Sequence, residues 1–549
     1  MGGARNRGTP GSLPGIQRTS ALSAQVRAEA RRMARQAARL RSAARVLGAV
    51  RHCQVLAQQH AAQCATTAAD LAYAAGIIEQ RRTGQAGPVP GWCAEYGIAP
   101  GRWQGARMPA ERPAVFAEPE PPQDTVAAAR VLAAVAEEVR SSAVAVTALL
   151  GAGSPRAFRA LWRAATDPAG YGFAPDGGPV WRAARWLTRR DDDTLAVQIA
   201  VTSLKLRLEI VRQAHPEILD HPDVHGLITA LEADRQLAAA RSLHKLLTTA
   251  GVEDALAAVA PVLTELLALN ALLDENPFND SLGWDIVGGR MPTVSPITGV
   301  PMSWITRLDQ GEGRAVLVTE PFTFVQDGGG IVEALRNLMV IGSTGKVLLR
   351  ETRGPDGVVR YLLHLPGMAM GSVRNGSPQD LVGAIRNACE ADSPYTQAVC
   401  KALGLAEIPE GAELAIVGHS EGGAAAMNLA QSVAVNQLYR ITHVIAVGSP
   451  IDFKTPASAS TWVASVTNHH DIVPSLDGQG PGSPHNRRDD WYIVDYTDDT
   501  HEFPLSHSMQ IYASNLENAV PEARRHIDEQ LTPYRGEVLR DLVYQLSDR

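Results

Sequence analysis

Apolar positions recur along this chain with two different periods. From about Ala21 to Arg82 the sequence is rich in Ala, Arg and Gln, has no proline and only Gly48 and Gly76, a composition that favours helix. Val26, Met33, Leu40 and Leu47 repeat every seven residues, and Ala30, Ala37 and Ala44 follow four positions after the first three. That spacing predicts a coiled-coil-like seam whose small-residue half lets a partner helix approach closely. Residues 83–124 carry Pro88, Pro90, Pro100, Pro109, Pro113, Pro119, Pro121 and Pro122 and predict an irregular, partly polyproline connection. Asp124 is placed to N-cap a helix running to about Leu150. Ser154-Pro155 starts another, with proline where its missing N–H costs nothing. Further helical patterns cover about 181–214, 223–249 and 253–274 without a fixed repeat, so residues 21–275 are expected to form a helical domain. Residues 1–20, mostly Gly, Pro, Arg and Ser, have little to bury and are expected to be a disordered tail.

After Asn276-Pro277 the period shortens. Strand-like runs occur at Ala315–Thr319, Lys346–Thr352, Val358–Leu365, Leu414–Val417, Ile441–Val447, Trp462–Val466 and Trp491–Tyr496. Gly354-Pro355-Asp356-Gly357 joins the second and third as an antiparallel hairpin. Helix-like segments near 378–404 and 421–437 separate later runs, and strands alternating with helices mean a mostly parallel sheet with helices on both faces. The expected fold is an all-α N-terminal half followed by an α/β domain over 285–549.

One motif carries chemistry. The strand ending at Val417 runs into Gly418-His419-Ser420-Glu421-Gly422 and then an Ala-rich helix, which is G-x-S-x-G in the strand–turn–helix setting of a nucleophile elbow. A serine hydroxyl needs a base oriented by an acid, and on this kind of fold the chain order is Ser, acid, His. Asp471 follows a strand in Asn468-His469-His470-Asp471 and is the expected acid, with Asp452 in GSPIDF as the alternative. His507, at a loop-to-helix junction, is the expected base, with His501 next. His469 and His470 lie beside the acid and are expected to line the site or to pack. Two N–H donors must face the developing oxyanion. The amide of Glu421 supplies one, and the other comes from His364-Leu365-Pro366-Gly367-Met368, where Pro366 has no N–H and Met368 is preferred over Gly367. His364 itself is expected to be structural.

Together HLPGM, GHSEGG, AVGSP and HHDIVPSLDG resemble the serine α/β-hydrolases of the lipase class 3 and PGAP1-like type. Within these, the chain looks like hydrolases of high-GC actinobacteria in which a helical region precedes the catalytic domain. The resemblance covers about 285–530 and implies an esterase or lipase acting on an acyl-ester or lipid-like substrate through an acyl-enzyme, with no metal or organic cofactor. Glu421 departs from the Gln or Leu common in that family and puts a carboxylate beside the oxyanion site. Thioesterase or acyltransferase chemistry on the same elbow is the alternative. So is an interaction protein whose helical half binds a partner or self-associates, with a degenerate or regulatory hydrolase domain.

Composition narrows the remaining options. Apolar residues at 45% and charged residues at 20% fit a globular chain rather than a collagenous or wholly disordered one. A net charge of -7 argues against a dedicated nucleic-acid binder. The eight arginines of residues 21–51 stand against Glu29 alone but spread around the helix, as on a solvated face. No run of about 18 uncharged apolar residues suggests a membrane span. The five scattered cysteines (Cys53, Cys64, Cys93, Cys389, Cys400) form no CxxC pair and suit a reducing compartment, so a cytoplasmic location is expected. Trp103-Gln104-Gly105 is similar to the W-x-G turn of type VII secretion substrates, which makes signal-peptide-independent export the alternative. However, the intervening loop is longer than that hairpin's, and Tyr171 is followed four residues on by Pro175, not an acid. The Asp489, Asp490, Asp495, Asp498 and Asp499 cluster lacks calcium-loop spacing and is expected to be solvated. Gly328-Gly329-Gly330 lacks the Lys-Ser/Thr of a phosphate-binding loop.

Overall fold

The computed structural model describes residues 14–83, 119–151, 195–214, 222–232, 259–273, 280–293, 304, 307, 311–325, 329–369, 376–479, 490–500 and 502–549. Cys93, Trp103, Ser154-Pro155, Tyr171, Gly328, Asp489, His501 and most of the proline-rich connection lie outside the described residues. The chain forms two compact units, 1–207 and 208–549.

Within the first unit, helices Pro14–Ala44, Arg51–Thr83 and Thr125–Gly151 are joined in part by a short 3-10 turn at Leu47–Ala49. The first helix begins inside the segment expected to be a tail. The seven-residue repeat is its buried stripe: Val26, Ala30, Met33, Ala37, Leu40, Ala44 and Leu47 are all buried. Asp124 caps its helix as its side chain allows, Oδ1 accepting the Ala127 N–H at 2.7 Å. A buried polar pair, His60 Nε2 and Thr202 Oγ1 at 2.9 Å, ties the second helix to helix Leu195–Ala214. Among the described residues no helix is long and apolar enough to cross a membrane.

Among the described residues, the second unit has helices Pro222–Glu232, Leu263–Leu273 and Asp280–Val287 followed by one eight-stranded sheet. Its strands are β1 (Arg314–Leu317), β2 (Lys346–Arg353), β3 (Val359–Leu365), β4 (Glu413–His419), β5 (Arg440–Val447), β6 (Trp462–Asn468), β7 (Tyr492–Tyr496) and β8 (Glu537–Ser547). Their order is β1-β8-β2-β3-β4-β5-β6-β7. The run from β3 to β7 is parallel, while β1, β8, β2 and β3 pair antiparallel. The β2–β3 hairpin forms at the expected turn, where the Gly354 N–H donates to Val358 O at 2.8 Å and Gly357 adopts φ +78.

The central strands are apolar on both sides because both sides are covered. Leu363, Leu365, Leu414, Ile416, Val444 and Ala446 pack against helices Pro394–Leu405 and Glu421–Gln431. Leu362, Ala415, Val417, Ile445, Val447 and Val466 pack against helices Ile331–Ile341, Met509–Asn518 and Pro521–Gln530. One strand has no counterpart among the expected elements. β8 lies between β1 and β2, and Asp541 on it holds the buried Arg350 of β2 through two bonds of 2.8 and 3.1 Å. Its charges at Glu537, Arg540 and Asp541 break the apolar alternation that marks a strand in sequence.

Candidate active site

The site collects at the C-terminal ends of β4, β5, β6 and β7, where open α/β sheets gather ligands and reacting groups. Ser420 stands between β4 and helix Glu421–Gln431 at φ 57 and ψ -128, a left-handed backbone that side chains rarely adopt. Strain held at such a position requires the surroundings to over-determine it. Here the Ser420 N–H is fixed to Val447 O of β5 at 2.9 Å. The glycines are needed for close approach: a Cβ on Gly418 would meet the Gly422 carbonyl, and one on Gly422 would run into Leu365 O of β3. Gly422→Ala is therefore expected to lower stability by about 1–3 kcal/mol, the range for overpacking a closed site. A thermal midpoint equal to wild type would show that the elbow can relax.

Asp471 follows β6 and is fully buried; His507 lies in the 3-10 turn Leu505–His507 after β7. His507 Nδ1 is 2.7 Å from Asp471 Oδ2. A carboxylate accepts, so Nδ1 carries the proton and Nε2 is left as the basic nitrogen. The same Oδ2 accepts from Tyr512 O–H at 2.8 Å, and Oδ1 accepts from Val473 N–H at 3.0 Å. Tyr512, buried on helix Met509–Asn518, in turn accepts from the Asn468 N–H at 3.1 Å. Gly448 makes room for this arrangement: with φ +57, a Cβ there would come within 2.9 Å of Asp471 Oδ2 and 3.0 Å of Tyr512 Oη.

His419 links the elbow to the histidine turn. Its ring lies 4.7 Å from that of His507, and its Nε2 is 2.8 Å from the His507 carbonyl oxygen. Since a carbonyl only accepts, Nε2 is the protonated nitrogen of His419. Burial, with His507 alongside, holds the pKa of His419 well below the ordinary histidine value, so its ring is a neutral donor. Ser420 is the next residue in the chain, and among the described residues no hydrogen bond joins its side chain to that of His507.

The loop after β3 crosses this nucleophile. A Cβ on Gly367 would approach Ser420 Cβ to 2.5 Å and Ser420 Oγ to 3.0 Å. Met368 is half-buried in the same loop, and Glu421 is buried as the first residue of its helix. His364 is buried on β3 opposite Leu348, as a structural histidine would be. Burial, and next the charge of Arg350, push its pKa down to about 3. Unfolded, that imidazole binds its proton near the ordinary value of about 6.5, so the unfolded chain holds more protons between the two values and stability falls as pH drops through that window. The thermal midpoint of wild type relative to His364→Leu is expected to fall by several degrees from pH 7 to 4. Parallel midpoints across that range would contradict the buried neutral ring.

Of the expected alternatives, Asp452 donates its N–H to the buried Asp477 Oδ2 at 3.0 Å. His501 lies outside the described residues. His469 and His470 are buried beside the acid: His469 Nδ1 is 3.3 Å from Thr497 Oγ1, and His470 Nδ1 is 3.6 Å from Asp498 Oδ1. Asp498 departs from the expected solvated cluster, with a side chain only 7% exposed. Sequence reasoning missed His419 and Tyr512 as partners of the His507–Asp471 pair. Neither carries a motif of its own, though Tyr512 falls in the helix that His507 precedes.

Among known proteins, the model of the lipase (class 3) family matches residues 385–480, which run from helix Leu381–Cys389 through the elbow to just past Asp471. No curated protein and no solved structure matched the chain. Over residues 385–480 the second unit is thus lipase-like, resembling the α/β-hydrolase superfamily.

Proposed function

We propose that this chain is a serine hydrolase of carboxylic esters, with Ser420 as nucleophile, His507 as general base and Asp471 as the group that orients it. The observations that support this reading are the 2.7 Å His507–Asp471 bond and the serine of the elbow held at positive φ. In the first half-reaction, Ser420 Oγ attacks the ester carbonyl carbon as its proton passes to His507 Nε2. The carbonyl π-pair moves to oxygen, where the amides of Glu421 and Met368 stabilise it. Collapse expels the alcohol, which takes the proton from His507, and leaves an acyl-Ser420 ester. Water then repeats the sequence and releases the carboxylic acid. Hydrogen bonds of unliganded catalytic sites are often long and tighten when substrate binds, which accommodates the separate Ser420 and His507 side chains.

Residues 285–549 form the catalytic portion in this reading, and the substrate is an acyl ester or a lipid-like ester. The scattered cysteines, with no CxxC pair in the sequence, support a cytoplasmic location in this reading. The test is turnover of a p-nitrophenyl ester series from acetate to palmitate at pH 7–8. Hydrolysis with an acyl adduct trapped on the protein is expected; no release of p-nitrophenol at any chain length would overturn the assignment.

A further inference from the structure

Two amides can bind an oxyanion only if their separation is fixed, yet Met368 lies on a loop and Glu421 on a helix. Both reach the same short segment, the start of helix Pro394–Leu405. That start is rigid: Ser393 caps it, Oγ accepting the Thr396 N–H at 3.1 Å, and Pro394 fills the first helical position. On one side, Tyr395 O–H donates to Pro366 O at 2.7 Å and accepts from Gln379 Nε2 at 3.0 Å. The Gln379 main-chain oxygen accepts the Ala369 N–H at 2.9 Å, and Gln379 Oε1 accepts the Gly345 N–H at 2.7 Å. Gly367-Met368 is thus pinned at both ends, at Pro366 by the Tyr395 hydroxyl and at Ala369 by the main chain of Gln379, whose side chain also holds Tyr395. On the other side, Ser393 O–H donates to Asn387 Oδ1 at 2.7 Å, and Asn387 Nδ2 donates to the Glu421 carbonyl at 3.0 Å. Tyr395, Gln379 and Ser393 are all buried, so these bonds face little competition from water.

We propose that Tyr395, acting with Gln379, is the positioning residue that fixes residues 366–369 across Ser420, so that the loop amide keeps its distance from the amide of Glu421. This rests on the reading of Met368 and Glu421 as oxyanion donors. Tyr395 touches no reacting atom; it acts through the Pro366 carbonyl. A phenol that merely satisfied itself in the core would leave turnover and loop dynamics unchanged when removed.

The experiment is Tyr395→Phe, which deletes the hydroxyl and keeps the packed ring. For p-nitrophenyl ester hydrolysis, kcat is expected to fall at least about tenfold with KM within about threefold, because losing a whole oxyanion donor costs about 10²–10³. Affinity for a trifluoromethyl ketone, which forms a tetrahedral adduct, should fall by the same factor as kcat/KM. Hydrogen–deuterium exchange of the folded protein should speed up in the peptide spanning 361–369. Gln379→Leu should reproduce these changes, and the double variant should lose little more than the worse single one. Turnover, ketone affinity and exchange all within twofold of wild type would overturn the proposal, as would faster exchange with unchanged turnover. Wild-type turnover in Ser420→Ala would instead remove the proposed reaction, while the exchange rates would still decide whether Tyr395 holds the loop.

Discussion

Ser420→Ala is expected to lower ester turnover by about 10⁴–10⁶, the loss typical when the nucleophile of a serine triad is removed. The variant deletes one oxygen at a residue only 7% exposed, and the N–H bond of that residue to Val447 O does not involve it. The fold should therefore survive, and the thermal midpoint should stay close to wild type. KM should change little, because the hydroxyl contributes to the reaction and not to ground-state binding. Residual activity within tenfold of wild type, in protein free of contaminating esterase, would place the nucleophile elsewhere.

Asp471→Asn is expected to cost about 10³–10⁴ in kcat for a different reason. Asp471 Oδ2 accepts from both His507 Nδ1 and Tyr512 O–H. An asparagine that turns its amide nitrogen toward Nδ1 forces the ring to expose an N–H at Nε2, where the reaction needs a lone pair. If it turns its oxygen there instead, the charge that stabilises the imidazolium is still lost. Steady-state kinetics on the p-nitrophenyl series check this, with circular dichroism and thermal unfolding to show that the variant is folded. Turnover within about threefold of wild type would mean that Asp471 does not orient the base.

The elements legible in the sequence were those with a local signal. The elbow has a fixed glycine spacing, the β2–β3 hairpin has a Pro-Asp-Gly turn, and the heptad of Val26, Met33, Leu40 and Leu47 announces its buried face directly. Asp124 was legible because capping depends on one side chain three residues from its amide. Strand β8 was not: it is held by partners almost two hundred residues away, Arg350 among them, and its own charges hide its alternation. The same holds around the site. Ser420, Asp471 and His507 are signalled by chain order and by their places after strands. His419, Tyr512, Tyr395 and Gln379 act through hydrogen bonds to residues distant in the chain, and no spacing rule encodes those contacts. Asp498 is hidden for a related reason: an acidic run looks solvated until the fold brings His470 and Asn515 against one member of it.

The most direct measurement is to treat the purified full-length chain with a fluorophosphonate probe and locate the adduct by peptide mass spectrometry. A fluorophosphonate reacts only with a serine whose neighbours remove its proton and stabilise the resulting charge. Stoichiometric labelling on Ser420 is expected, abolished in the folded His507→Ala variant. Folded wild-type protein that takes up no label, or that is labelled on another serine, would contradict it.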